Sequence, residues 1–244
     1  MLKKFIISLS GLLLVLVLAC LGYLFWASNG APASQQAIAA LKGTDSVQVT
    51  QDPWISFIPA GDQPGTGIIF YPGGQADPRS YAPTMLALAE QGNVAVIVPM
   101  PFNLAVMGIG RAADVMVAYP QVKHWIIAGH SLGGVMAAQF VSDHPGSVDG
   151  LAFWAAYSAA DLDTLDIPVS VIYGSADAMA TVAEINEAKN LLPANTDYHL
   201  IEGADHYQFG YFDEVPVNAS ISRDQQQQDL LQAMQVLIER VKAQ

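Results

Sequence analysis

Cysteine is almost missing from this 244-residue chain. The single one, Cys20, falls inside an apolar N-terminal run. The remainder can therefore form no disulfide, offers no thiolate to a metal and supplies no cysteine nucleophile. Basic residues are scarce too: beyond the first 27 residues eight stand against 22 acidic ones, a net charge of −14. A surface of that sign repels phosphate, so neither nucleic acid nor anionic lipid is an expected partner. The phosphate-cradling patterns Gly-x-Gly-x-x-Gly and the Walker loop are absent, as is any His-x-x-x-His pair, and Asp205-His206 alone is no ligand set. No cofactor or metal is expected. Nor is there an internal repeat or a second domain.

What is abundant is apolar: 52% of residues, against 13% charged. Part of that skew lies at the start. Lys3-Lys4 precede Phe5 to Ala27, 23 residues without a charge, or about 34 Å as a helix, which is long enough to span a bilayer. Basic residues before the run and none just after it predict an uncleaved single-pass anchor over 1–27, with the rest extracytoplasmic. A cleavable signal has a shorter apolar region. A lipoprotein signal at Cys20 should turn polar after the cysteine, whereas Leu21, Tyr23, Leu24, Phe25 and Trp26 follow. Residues 28–44, small and polar at first, read as a tether, and 45–244 as one domain.

In that domain Val47-Gln48-Val49 and Trp54 to Ile58 alternate like antiparallel edge strands, with Pro53 between them. Gly67 to Tyr71 is a continuous apolar run, the pattern of a strand covered on both sides, and Val94 to Val98, Trp125 to Gly129, Leu151 to Ala156, Val169 to Tyr173 and Tyr198 to Ile201 read as further strands. Helical stretches separate most of them. The last opens at Ser222-Arg223-Asp224-Gln225, a capping box, and the glutamines 225–228 read as its solvated part. Such alternation predicts a mostly parallel sheet with helices on both faces. The short Leu151-to-Val169 connection leaves no room for a large lid.

The chain is organised around Ile126-Ile127-Ala128-Gly129-His130-Ser131-Leu132-Gly133-Gly134. A strand turning at once into a helix throws its apex residue, Ser131, out above the sheet in a strained conformation, and small residues two before and two after let the backbones cross. The Leu132 N–H at the helix start points where an oxyanion would form. A second donor is expected from Gly73-Gly74-Gln75, at the N–H of Gly74 or Gln75.

A serine nucleophile needs a base, and the base an orienting acid. Both should follow later strands. Asp177 follows Val171-Ile172-Tyr173-Gly174, and His206 follows Leu200-Ile201-Glu202-Gly203. Asp161 and Asp163 are fallback acids, and Asp205 faces solvent or braces its loop. Of the other histidines, His124 precedes a strand, His130 is the variable residue of the elbow, His144 ends a helix and His199 lies within a strand. Phe102, Asn103, Met107, Trp154, Tyr157, Met179, Tyr207 and Phe209 sit near strand ends and are candidate pocket walls.

Gly-His-Ser-Leu-Gly-Gly, Gly-Ser-Ala-Asp and Gly-Ala-Asp-His resemble the α/β-hydrolase superfamily over about residues 45–243. Three further segments, Phe70 to Tyr81, Met100 to Ala105 and His206 to Gly210, resemble a bacterial subgroup of small, often membrane-anchored, dienelactone-hydrolase-like proteins. Dienelactone hydrolases themselves use a cysteine where this chain has Ser131. The resemblance implies an α/β-hydrolase fold, the triad Ser131, Asp177 and His206, and cleavage of an ester, lactone or related acyl bond in a small molecule. A peptidase or acyltransferase would use the same triad. A catalytically silent binding module would share only the fold.

Overall fold

The computed structural model describes residues 2–61 and 65–244, and the backbone alone of residues 2–10, 24, 25, 27 and 28. Helix α1 spans Leu2–Ser28. The consecutive side chains Leu12 to Leu18, and Leu21, Tyr23 and Trp26, are exposed, so its described part is bare on every side. The expected membrane span, Phe5 to Ala27, falls partly outside the described side chains. Among the described residues no helix is long and apolar enough to cross a membrane.

The segment after α1 differs from the expected free tether. Ala31 bridges Ala76, and Ala33 bridges Phe212. The Ala31 N–H donates to the Gln75 carbonyl (2.8 Å), the Asp77 N–H to Ala31 (3.0 Å), the Ser34 N–H to Tyr211 (2.8 Å) and the Asp213 N–H to Pro32 (3.0 Å). Gly30 lies so close to this neighbour that a Cβ there would fall 1.9 Å from the Gln75 carbonyl oxygen. The side chain of Ser34 then caps α2 (Gln35–Ala40), accepting from the Ala37 N–H, and Ala37 is buried. Residues 29–41 are thus stitched onto the domain, because their backbone groups find partners there that a solvated linker would not have.

Among the described residues eight strands follow: β1 (Val47–Thr50), β2 (Ile55–Pro59), β3 (Gly67–Tyr71), β4 (Val94–Ile97), β5 (Trp125–His130), β6 (Gly150–Trp154), β7 (Val169–Gly174) and β8 (Asp197–Ile201). They form one sheet in the order β1-β2-β4-β3-β5-β6-β7-β8. The pairings β1–β2 and β2–β4 are antiparallel and all others parallel, as the alternating and the continuous apolar runs predict. In β3 every residue is buried, since successive side chains enter opposite cores. Ile68 and Phe70 pack with α3 (Ala82–Glu90) and α7 (Arg223–Lys242). Ile69 and Tyr71 pack on the other face, with α4 (Arg111–Ala118), α5 (Leu132–Asp143) and α6 (Val182–Glu187). No helix or strand interrupts residues 155–168, so nothing inserted there covers the ends of the strands.

At the start of α7 the structure departs from the solvated reading of the glutamines. Ser222 does cap the helix, accepting from the Gln225 N–H. Gln226 and Gln227, however, are buried. The Gln226 amide closes both backbone groups of Asp205, accepting from its N–H at 3.1 Å and donating to its carbonyl at 2.8 Å. Gln227 donates to the Gln208 carbonyl and accepts from the Thr84 hydroxyl. The run braces the loop after β8, where unpaired backbone groups would each cost about 1–3 kcal/mol.

Candidate active site

Strand β5 ends at His130 and α5 begins at Leu132, leaving Ser131 alone to make the turn. Its backbone stands at φ 52°, ψ −125°, a conformation that costs about 1–3 kcal/mol for a residue with a Cβ. Contacts on all sides enforce it. The Ser131 N–H donates to the Trp154 carbonyl at the end of β6, and the Ser131 carbonyl accepts from Gly134. A Cβ on Gly129 would lie 2.4 Å from the Gly133 carbonyl, and one on Gly134 would lie 2.6 Å from the Ala156 side chain. The elbow closes only with glycine at those positions.

Loops after β7 and β8 bring the two other candidates together. Nδ1 of His206 is 2.8 Å from Oδ2 of Asp177. Both side chains are buried. The other Asp177 oxygen accepts from the N–H groups of Met179 and Ala180, each at 2.8 Å. With its second oxygen held by backbone donors, the carboxylate has one direction left, towards the imidazole. Asp205 turns away and braces its loop, accepting from the N–H groups of Gln208, Asn218 and Ala219. Asp161 and Asp163 are exposed in the β6–β7 connection, and neither lines the cavity at Ser131.

The loop after β3 settles which backbone donors are free. The Gln75 N–H, an expected oxyanion donor, is already committed to the Asn103 carbonyl at 2.8 Å. Gly73 donates to the Tyr81 hydroxyl at 3.1 Å. Gly74 lies between them against Leu132: a Cβ there would meet the Leu132 side chain at 3.1 Å. The Leu132 N–H, first in its helix, has no intrahelical acceptor. Gly74 and Leu132 are therefore neighbours whose N–H groups have no hydrogen-bond acceptor among the described residues, and Gln75 drops out. The surrounding backbone is strained in the same way as the elbow, with Gln75 at φ 56°, Phe102 at 55° and Asn103 at 53°.

Ser131, His130, His206, Gly73, Gly74 and Gln75 share one cavity of about 230 Å³, together with Ala31 and Ala76. Of the eight expected wall residues, Met179 and Tyr207 line it. The other six do not. Trp154 is wholly buried, its ring on Phe70 and its indole N–H donating to the Met234 sulfur, because its strand position points it into the core. Phe209 is also buried, stacked near His130. Tyr157 packs with the α5 face. Phe102 and Met107 point to solvent, 44% and 53% exposed, and Asn103 contributes its carbonyl to Gln75 rather than a wall. In their place stand Phe212 and Val215, from the loop before α7, and Ala31 of the stitched segment.

Sequence reading misjudged His130 most. Far from being a variable bystander, it is 3% exposed. Its ring centroid lies 4.6 Å from that of His206. Burial, reinforced by His206, holds its pKa well below the ordinary histidine value. The consequence for stability has a definite sign. Unfolded, His130 takes up a proton below about pH 6.5, which the folded protein refuses. Stability is therefore unaffected above that pH and falls as pH drops below it. Melting between about pH 7.5 and about pH 5 is expected to show this loss. His130→Gln, which cannot take the proton, should reduce it to the part carried by His199, whose pKa burial also lowers; an unchanged pH slope in that variant would assign the loss elsewhere.

Comparison with known proteins supplies the context. The alpha/beta hydrolase family model matches residues 67–229. Among solved structures, the esterase domain of a Rhodothermus marinus protein superposes with a TM-score of 0.58 at 13% identity, covering 77% of this chain and 92% of its own. A putative hydrolase from Agrobacterium vitis gives 0.59 at 16% identity, over 79% and 99%. An esterase from Rhodococcus gives 0.56 at 14%, over 80% and 99%. At such identities the likeness is one of fold. No curated protein matches the sequence.

Proposed function

The chain belongs to the alpha/beta hydrolase family, and from that premise we propose a serine hydrolase of the small dienelactone-hydrolase-like type, cleaving a carboxylic ester, lactone or related acyl bond. Ser131 attacks the acyl carbon while His206 takes its proton, and Asp177 keeps the imidazole in the tautomer that can accept it. The N–H groups of Leu132 and Gly74 receive the oxyanion. His206 returns the proton to the leaving oxygen, and water then releases the acyl group from Ser131 by the same steps. The observation that carries this reading is the buried 2.8 Å contact of His206 with Asp177, with His206 sharing one cavity with the strained Ser131.

The cavity also narrows the substrate. At about 230 Å³ it is smaller than the roughly 300–1,000 Å³ of drug-sized ligand sites, which favours a short acyl group. Among the described residues no Arg or Lys lines it, so a carboxylate or phosphate on that group would lack a counter-charge there. The N-terminal helix serves as a membrane anchor: its 23-residue uncharged run and its bare apolar circumference suit lipid better than water, and retention in the membrane pellet after carbonate washing would test it.

Labelling with a fluorophosphonate beside turnover of p-nitrophenyl acetate and butyrate tests the chemistry. Both are expected in the wild type and both should vanish in Ser131→Ala. A folded wild type that neither labels nor turns over would point instead to a binding module on a hydrolase fold.

A further inference from the structure

Beyond the three side chains that carry the chemistry, one buried polar chain links their loops. Nε2 of His130 is 3.1 Å from the backbone carbonyl of His206. Nδ1 of His130 is 2.9 Å from the Tyr81 hydroxyl. That hydroxyl is 3.1 Å from the Gly73 N. The two ends fix every proton between them. A carbonyl only accepts, so the proton of His130 sits on Nε2. Nδ1 of the neutral ring can then only accept, so Tyr81 donates to it, and the Tyr81 oxygen takes the Gly73 N–H. Burial holds the Tyr81 hydroxyl protonated and the His130 ring neutral, as this arrangement needs. Tyr81 is wholly buried, so water is not a ready substitute for either partner.

The chain runs from Gly73, which immediately precedes the oxyanion donor Gly74, through the residue before Ser131, to the backbone of the base itself. Glycine at position 73 is part of the device: a Cβ there would lie 2.7 Å from Nδ1 of His130 and 3.0 Å from the Tyr81 oxygen. Three loops after three different strands, β3, β5 and β8, are held in register by two side chains. We propose that Tyr81 and His130 are positioning residues which set the spacing between the oxyanion donors, Ser131 and His206. This rests on the serine-hydrolase reading. Losing the chain leaves substrate contacts in place but lets the donors and the base drift apart. A misplacement of about 1 Å costs on the order of 10²-fold in rate.

The test uses the full chain as wild type, Tyr81→Phe, His130→Gln and His130→Leu. Active sites are counted by exhaustive fluorophosphonate labelling. Then kcat and KM are measured with p-nitrophenyl butyrate, and affinity with a short-chain trifluoromethyl ketone, whose adduct places an oxyanion on the donors. Tyr81→Phe should lower kcat per labelled site by about 10- to 100-fold with KM within about twofold. Ketone affinity should fall by the same factor as kcat/KM. His130→Gln, which keeps one donor and one acceptor, should recover part of the rate lost in His130→Leu. A lower melting temperature and fewer labelled sites, with kcat per site unchanged, would overturn the proposal in favour of a purely structural bridge. So would a rise in KM at constant kcat. A wild type that fails to label or turn over overturns the underlying hydrolase reading, and this proposal with it; normal wild-type turnover with unaffected variants overturns this proposal alone.

Discussion

Asp177→Asn is expected to lower kcat by about four orders of magnitude while leaving the fold intact. The reason lies in how the carboxylate is wired. One oxygen takes two backbone N–H groups, from Met179 and Ala180, and the other takes Nδ1 of His206. An asparagine must turn its oxygen to the backbone pair, since its NH₂ group would face two donors there. That leaves the NH₂ facing Nδ1. The imidazole responds by moving its proton to Nε2, the nitrogen that should accept from Ser131. Base and nucleophile would then both carry a proton at their meeting point. Thermal melting close to wild type beside a collapsed kcat and slow fluorophosphonate labelling would support this. A drop of less than about tenfold would mean that Asp177 does not choose the tautomer.

Gly133→Ala should have the largest effect on folding. The added Cβ would fall 2.0 Å from the Tyr71 carbonyl oxygen and 2.4 Å from that of Pro72. Both are backbone atoms at the end of β3, in the centre of the sheet, so no rotamer change relieves them. Either α5 lifts off β3 or the loop carrying Gly74 moves, and Leu132 and Gly74, the donors proposed for the oxyanion, separate in both cases. A cost of about 3 kcal/mol or more is expected, lowering the melting temperature by roughly 6–12 °C for a domain of this size. Gly110→Ala makes the natural control. Nothing lies within 4 Å of its added Cβ and its backbone is ordinary, so its effect should stay within about 0.5 kcal/mol. Equal melting of the two variants would show that the elbow tolerates a side chain.

How much of this was legible in the chain follows from which forces leave a mark on neighbouring residues. Strands β3 and β4 are buried on both faces, and this requires unbroken apolar runs that can be read directly. The elbow is legible for a similar reason: Gly129 and Gly134 answer a clash between segments a few residues apart. Asp177 and His206 follow their strands at once, so the topology delivers them to the same edge. The pocket walls were not legible. Their directions depend on left-handed backbone at Phe102, Asn103 and Ala155, which no propensity of those residue types announces. The same holds for the contact that removes Gln75 as a donor. The Tyr81–His130 chain, the buried Gln226 and the segment at Ala31 each join residues distant in sequence. A glutamine or histidine looks the same in a sequence whether it meets water or a carbonyl from another loop.

The segment joining α1 to α2 also decides how the N-terminal helix is mounted. A flexible leash would let the domain tumble independently of that helix. Here the joint is welded: the bonds from Ala31 to Gln75 and Asp77 flank the same loop that presents the Gly74 N–H. Any tilt of the helix would therefore pull first on the loop that carries Gly74. The same joint limits where the protein can be shortened. A cut before Asn29 spares the seam, whereas a start at Gln35 would strip Ala31 from the wall and leave the Gln75 carbonyl and the Asp77 N–H facing water, opening a door through which solvent could reach the cavity at Ser131.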